Sequence, residues 1–165
     1  MVSEGENITK VCSFYASDWH FITMLLPHVN KTIDGGAKIT TILEKDAQDK
    51  VETLLKKLTL GNTKKILNIN WTSKELSDID INKINDERKI EIIISGSREY
   101  ICKANEIIKK QIKESEIKNE IKIINCYSID GNLDVKQILQ EHEAVLNTAG
   151  EKTVEEFVKD INIVC

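Results

Sequence analysis

The chain has 165 residues, 41% of them hydrophobic and 30% charged, a balance that suits one globular domain and excludes a disordered or fibrous chain. A formal charge of −4 and a pI near 5.5 argue against nucleic acid as the main partner, since a phosphate-binding domain presents a basic face. A chain of this length buries a core large enough to fold without disulfides or metal.

Lysine pairs occur at Lys56-Lys57, Lys64-Lys65 and Lys109-Lys110, but acidic residues surround them, so they read as solvated helix faces. The segment MVSEGENITK has no apolar stretch of the secretory kind, and no run approaches the ~18 apolar residues of a membrane span. The expectation is a cytoplasmic protein without a membrane partner. Four cysteines, Cys12, Cys102, Cys126 and Cys165, lie far apart and never in C-x-x-C spacing, so they read as reduced thiols rather than zinc or redox ligands.

In chain order, Val11–Tyr15 is a short apolar strand. A helix follows over Ser17–Lys31, with Ser17 as its N-cap, Pro27 inside it and Asp34-Gly35-Gly36 ending it. Lys38–Leu43 is the second strand. Asp46–Leu58 is the second helix, with Val51, Leu54, Leu55 and Leu58 along one stripe. Lys65–Trp71 alternates as a third strand would, and Lys89–Ser95 is a nearly continuous apolar fourth. Gly96 permits a sharp turn into a helix over Ser97–Glu114, whose core stripe runs through Ile101, Ala104, Ile107, Ile108 and Ile112. The remaining elements are a strand at Glu120–Tyr127, a short helix at Asp134–Glu141, a strand at Ala144–Thr148 and a short helix at Lys152–Asp160. Ile161–Cys165 is either an edge strand or a frayed end.

Strands and helices alternating through short, glycine-marked connections pair in parallel by right-handed crossovers. The pattern predicts a three-layer α/β sandwich with a mostly parallel central sheet, Rossmann-like, as a single domain with its core over about residues 10–150. Ligands of such sheets bind beyond the carboxyl ends of the strands. Four segments are placed there: Ala16–His20, Glu44–Asp46, Ser95–Glu99 and Ser128–Asn132.

The first of these is where a nucleotide-binding protein carries a glycine-rich loop with a lysine, and here it has neither. Nucleotide hydrolysis by that route is not expected. Tyr15, Ser17, Asp18, Trp19 and His20 instead offer aromatic and polar groups suited to a small ligand, or simply a capped helix with aromatics in the core. The Gly96-Ser97-Arg98 turn could hold an anion at a helix start, or be a good connector and nothing more. Asp18, His20 and His28 could ligate a metal only with a third element, which His142 could supply, since His20 and His28 are two helical turns apart. Partly buried or surface histidines are the default, and no metal or cofactor is expected. No Ser/His/Asp or Cys/His arrangement names a nucleophile and its base.

The order of these residues resembles the MEDS domain, the methanogen/methylotroph sensory domain named with the dichloromethane regulator. The resemblance is carried by Ser13-Phe14-Tyr15 before the first helix, Gly35-Gly36 before the second strand, Glu106 within Ala104-Asn105-Glu106, and above all Ile123-Ile124-Asn125-Cys126-Tyr127-Ser128-Ile129-Asp130 followed by Ile138–Leu146 with His142. It spans about residues 10 to 150. Ser128 stands after Tyr127 where the family has Asp, Glu143 stands after His142 where it has Pro, and Trp71 to Ile90 matches poorly. The resemblance implies a RecA- or KaiC-like core that has lost its phosphate loop and ATPase role, and a sensory part in signalling or transcriptional regulation. With no kinase or DNA-binding segment in this sequence, the expected output is contact with another polypeptide.

Three roles are consistent with this reading. The first is a stand-alone sensory domain binding a small molecule through Tyr15, Ser17, Asp18, Trp19, His20, Ser97, Arg98, Glu106, Tyr127 and His142, and signalling to a protein partner. The second is an interaction module without a ligand, including a homodimer through an isoleucine-rich strand at a sheet edge. The third is an atypical nucleotide binder with Asp18 or Glu44 holding magnesium.

Overall fold

In the computed structural model, which describes residues 7–84, 89–130 and 132–164, the first strand, β1 (Ile8–Tyr15), lies inside the sheet, with strands from the second half of the chain on both sides of it. It is followed by α1 (Asp18–Asp34), β2 (Lys38–Leu43), α2 (Gln48–Leu55), α3 (Thr63–Leu67), two 3-10 turns at Leu76–Asp78 and Ile81–Ile84, β3 (Ile90–Gly96), α4 (Arg98–Glu114), β4 (Ile121–Ser128), α5 (Val135–Gln140), β5 (Ala144–Asn147), β6 (Gly150–Thr153) and α6 (Val154–Val164). These form one six-stranded sheet in the order β2-β3-β4-β1-β5-β6, parallel except for β6. Helices cover both faces, as expected of strands whose side chains are apolar on both sides. β3 shows this most fully: all seven of its residues are buried.

Two cores result. Val11 and Tyr15 of β1, Leu43, Ile93, Ile124 and Cys126 pack against α1, α2, α3 and Trp71 on one face. Cys12, Ile42, Ile92, Ile94, Ile123 and Tyr127 pack against α4, Ile138 of α5 and the 3-10 turns on the other, with Val154 and Phe157 of α6 at the margin. Burial pushes the Cys12 thiol up to about 12 and that of fully buried Cys126 higher still, so both behave as small hydrophobes. Cys102 is exposed.

Both expected helix caps form: the Ser17 hydroxyl accepts from the His20 N–H at 3.1 Å, and the Ser97 hydroxyl accepts from the Tyr100 N–H at 3.2 Å. α1 ends where Gly36 takes a φ of +84°, which a side chain would resist.

Three expectations are corrected. Lys65–Trp71 is not a strand; it contributes the end of α3 and a loop. Ile66 and Ile69 turn toward α1 and α2 at helical spacing, and Trp71 fills the space below them with its indole N–H donating to the Ile66 carbonyl at 2.8 Å. A short apolar run fits either period, and packing decided here. At the C-terminus the edge strand is not within Ile161–Cys165, since α6 continues to Val164. The edge is instead Gly150-Glu151-Lys152-Thr153, so the last helix begins at Val154 rather than Lys152. The β5–β6 hairpin turns through Thr148-Ala149, and Gly150 adopts φ +111°, the positive-φ residue that a tight hairpin needs. The turn glycine Gly131, the N-terminal residues 1–6 and Cys165 lie outside the described residues.

The isoleucine-rich strands β3 and β4 are internal, and the sheet edges are β2 and β6. The β2 edge is partly covered: Ser73 bridges to Leu43, and the Thr41 hydroxyl donates to the Asn70 carbonyl. The β6 edge is short and carries Glu151 and Lys152, a composition that discourages edge-to-edge pairing.

Trp71 is the largest fully buried side chain. Denaturant unfolding of Trp71→Phe should show a loss of about 1–3 kcal/mol, since the Ile66 carbonyl loses its buried donor, and Trp71→Ala should lose about 3–5 kcal/mol through the added cavity.

Candidate functional site

Parallel registers align the strand ends. Leu43 of β2 pairs with Ser95 of β3, Ser95 with Cys126 of β4, and Cys126 with Ser13 of β1. The connections leaving the four strands therefore open at one end of the sheet, and a cleft of about 220 Å3 lies between them. Tyr15, Phe21 and Ile22 form its apolar wall; Asp18, Glu44, Lys45, Asp46, Lys50 and Asp130 bring charge; Ser95, Gly96, Ser97 and Ser128 complete it. All four segments expected at the strand ends contribute.

Gly96 sets the tightest contact of the cleft. Its φ is +146°, and a Cβ placed there would sit 2.6 Å from Oε1 of Glu44. The Glu44 side chain lies flat on this glycine and accepts the Ser97 N–H at 2.8 Å. The start of α4 thus already holds a carboxylate, which is favourable at the positive end of a helix. At α1 the Ser17 hydroxyl takes the His20 N–H, and Nδ1 of His20 accepts the Ala16 N–H at 3.0 Å. The Asp134 carboxylate caps α5 by accepting the Gln137 N–H. Asp46 accepts the Ser73 N–H, tying the segment after Trp71 to the cleft.

Across the mouth, Lys50 of α2 reaches the first turn of α1. Its ammonium is 3.6 Å from Oδ2 of Asp18 and 5.9 Å from the centre of the Trp19 ring. Trp19 is 46% exposed, and Ile129, just beyond β4, is 50% exposed. Burial, followed by the neighbouring Cys126, Asp18 and Glu44, pushes the Tyr15 phenol up to about 12, so it stays neutral beside Ser128.

The ten residues singled out from sequence fall into two groups. Tyr15, Asp18 and Ser97 line the cleft; Ser17, Trp19 and His20 stand at its rim, the first and last as local hydrogen-bond partners of the α1 start. Tyr127 and His142 belong to the opposite face of the sheet: Tyr127 is buried with its ring stacked on Phe14 at 5.9 Å and edge-on to His142 at 5.9 Å. Arg98 pairs with Glu141 at 3.5 Å, and Glu106 is exposed on α4. Of the histidines considered for metal, His28 faces Glu91, with Nε2 3.2 Å from each carboxylate oxygen, far from His20 and His142 in the fold. Among the described residues no three His, Cys, Asp or Glu side chains are grouped to hold an ion.

On the opposite face the structure adds a buried polar chain that periodicity could not reveal. Asn105 of α4 donates to the Ile101 carbonyl at 2.8 Å and to Oδ1 of Asn125 at 2.9 Å, and Asn125 donates to Nε2 of His142 at 2.9 Å. Nδ1 of His142 meets the Ile138 carbonyl at 2.6 Å, which fixes the ring as an Nδ1–H donor and Nε2 acceptor. The only sequence signal was a pair of asparagines at apolar positions of an amphipathic helix and a buried strand. Glu44 and Lys50, which shape the cleft, were visible only as members of a loop and a helix.

No family model, no curated protein and no solved structure matches the chain. The fold and the cleft define it as an α/β domain with a six-stranded, mostly parallel sheet and one charged, aromatic-walled cleft at the carboxyl ends of β1 to β4. Among the described residues no helix is long and apolar enough to cross a membrane.

Two outcomes follow from this geometry. Gly96→Ala should lower stability by about 1–3 kcal/mol, because it strains a positive-φ position and displaces Glu44; thermal unfolding measures this. Burial, opposed by the bond to Ile138, lowers the His142 pKa from 6.5 to about 4. As pH falls the unfolded chain takes up this proton first, so the stability His142 contributes is full above about 6.5 and is lost between about 6.5 and about 4. The stability difference between the parent chain and His142→Gln should therefore shrink by about 2–3 kcal/mol between pH 7 and pH 4.5 in denaturant titrations.

Proposed function

We propose that this protein is a small-molecule-binding domain of the sensory kind, which takes its ligand in the cleft at the strand ends and passes its state on by contact with another protein. The observation that carries this reading is the convergence of four strand-end connections on one cleft whose helix starts are already capped by the chain's own side chains. A parallel sheet places its ligand at this end. A nucleotide is disfavoured: the β1–α1 connection has no glycine, its N–H groups serve Ser17 and His20, and Glu44 occupies the α4 start where a phosphate would seek its place. Size agrees, since about 220 Å3 falls below the ~300–1,000 Å3 of sites that enclose drug-sized ligands. The magnesium reading loses Glu44 to the Ser97 N–H, and among the described residues no three His, Cys, Asp or Glu side chains are grouped to complete a metal site with Asp18.

The sensory part of the proposal draws on the resemblance to the MEDS domain. It also draws on the rim, where the exposed Trp19 and Ile129 would change their surroundings when the cleft fills. Exposed apolar side chains near a ligand site suit transfer of a binding event to a protein partner.

Native mass spectrometry of the purified protein, followed by thermal-shift screening against small metabolites and magnesium nucleotides, tests the reading. The expected result is a retained or stabilising small molecule, with a stabilisation of about 2.7 kcal/mol at a hundredfold excess over its Kd, that is weakened in Trp19→Ala and not reproduced by ATP or GTP. An unliganded spectrum with no stabilising compound would sink it, and stabilisation by a magnesium nucleotide would replace it with the nucleotide reading.

A further inference from the structure

We infer that the cleft takes a small organic cation, an ammonium or guanidinium group carried on a flat or apolar body. This rests on the reading of the cleft as a small-molecule site and names the chemistry of its ligand.

The anion position at the start of α4 is already occupied by a carboxylate of the chain itself. The Glu44 carboxylate holds the Ser97 N–H at 2.8 Å and lies against Gly96, and the Ser17 hydroxyl holds the His20 N–H. A phosphate or carboxylate ligand at the start of α4 would have to displace Glu44 and then face its charge.

The cation position differs. Asp18 and the face of Trp19, consecutive residues on the first turn of α1, together receive the Lys50 ammonium from α2. A carboxylate beside an indole face is the pairing that holds organic cations, through opposite charge and through the ring's negative face. Lys50 demonstrates that an ammonium group fits there. Its hold is loose: the side chains of Lys50 and Asp18 are 34% and 51% exposed, and ion pairs so open to water contribute little. Lys50 can swing into solvent on its flexible stem, leaving Asp18 and Trp19 to an incoming cation.

The surrounding field favours the exchange. Four carboxylates line the cleft, Asp18, Glu44, Asp46 and Asp130, against the two ammonium groups of Lys45 and Lys50. Tyr15, Phe21 and Ile22 stand behind them as a wall for the body of the ligand. The neutral Tyr15 phenol adds a polar group without adding charge.

Isothermal titration of the full chain with phenethylamine, agmatine and choline, each beside a neutral or carboxylate counterpart such as phenethyl alcohol and 3-phenylpropionate, tests the assignment. Trp19 fluorescence reports the locus, and a Trp19→Phe variant identifies its signal against that of Trp71. The expected result is that at least one of the cations binds, roughly tenfold more tightly than its counterpart. Asp18→Asn should weaken it roughly tenfold, while Lys50→Met, which vacates the position, should tighten it roughly threefold. Preference for the carboxylate or the alcohol, weaker binding in Lys50→Met, or silence from all three cations in both the parent and Lys50→Met would overturn the cation assignment. A separate stabilising hit of another charge in the metabolite screen would then leave the small-molecule reading standing. No hit in either experiment would overturn both.

Discussion

β1 is hydrogen-bonded in parallel to β4 along its whole length and to β5 on its other side, and the rest of the molecule is arranged around this pairing. A strand at the N-terminal end of the chain can be internal only if later strands fold back on either side of it. The chain does this by sending α1 across one face to the far edge, returning through β2, β3 and β4, and then passing over β1 to β5. Helix placement follows: α1, α2 and α3 lie on one face, α4 and α5 on the other. The cleft follows too, because parallel strands in matched register must open their carboxyl ends at one level.

The two faces of the sheet use polar groups differently. Beneath α4 and α5 the Asn105–Asn125–His142 chain is satisfied at both ends, by the Ile101 and Ile138 carbonyls, and no water is needed to complete it. Such a network ties helix, strand and helix in one arrangement, since any slip would leave a buried amide unpaired. At the strand ends the charged pair at the mouth is exposed and weakly held. Lys50 shares Asp18 and Trp19 with solvent, whereas Glu44 is fixed by the geometry of Gly96 and Asp46 by the Ser73 N–H. The tightly satisfied polar groups lie in the sheet and the looser ones at its rim.

The absence of a phosphate loop is expressed in three dimensions as well as in composition. Helix starts in an α/β sheet carry uncompensated N–H groups, and anion-binding proteins leave them open to the ligand. Here Ser17, Ser97 and Asp134 each take one such N–H, and Glu44 takes the N–H of the cap residue Ser97. The carboxylate at α4 goes beyond the usual cap: it comes from the neighbouring strand's connection and depends on a glycine with no room for a methyl group. The electrostatic character of the cleft is thus set by residues that belong to the scaffold.

Local sequence determined much of this protein. Continuous apolar runs marked β1 to β5, the stripe of Ile101, Ala104, Ile108 and Ile112 marked α4, Ser17 and Ser97 marked their helix starts, and the strand–helix alternation marked a mostly parallel sheet with its connections opening at one end. These are short-range consequences of period, capping and crossover handedness. Tertiary structure decided the rest. Ile66, Ile69 and Trp71 could alternate as a strand or turn as a helix, and the space beneath α1 and α2 chose. Gly150–Thr153, charged and without an apolar pattern, became a strand because β5 offered an unpaired edge. Tyr127 and His142 went to one face of the sheet and Tyr15 to the other, because a strand's side chains alternate and the neighbour of each strand is not written in its own residues. Lys50 reached Asp18 and Trp19, and Glu44 reached Ser97, for the same reason: contacts between distant segments depend on strand order and register, which arise only when the whole sheet assembles.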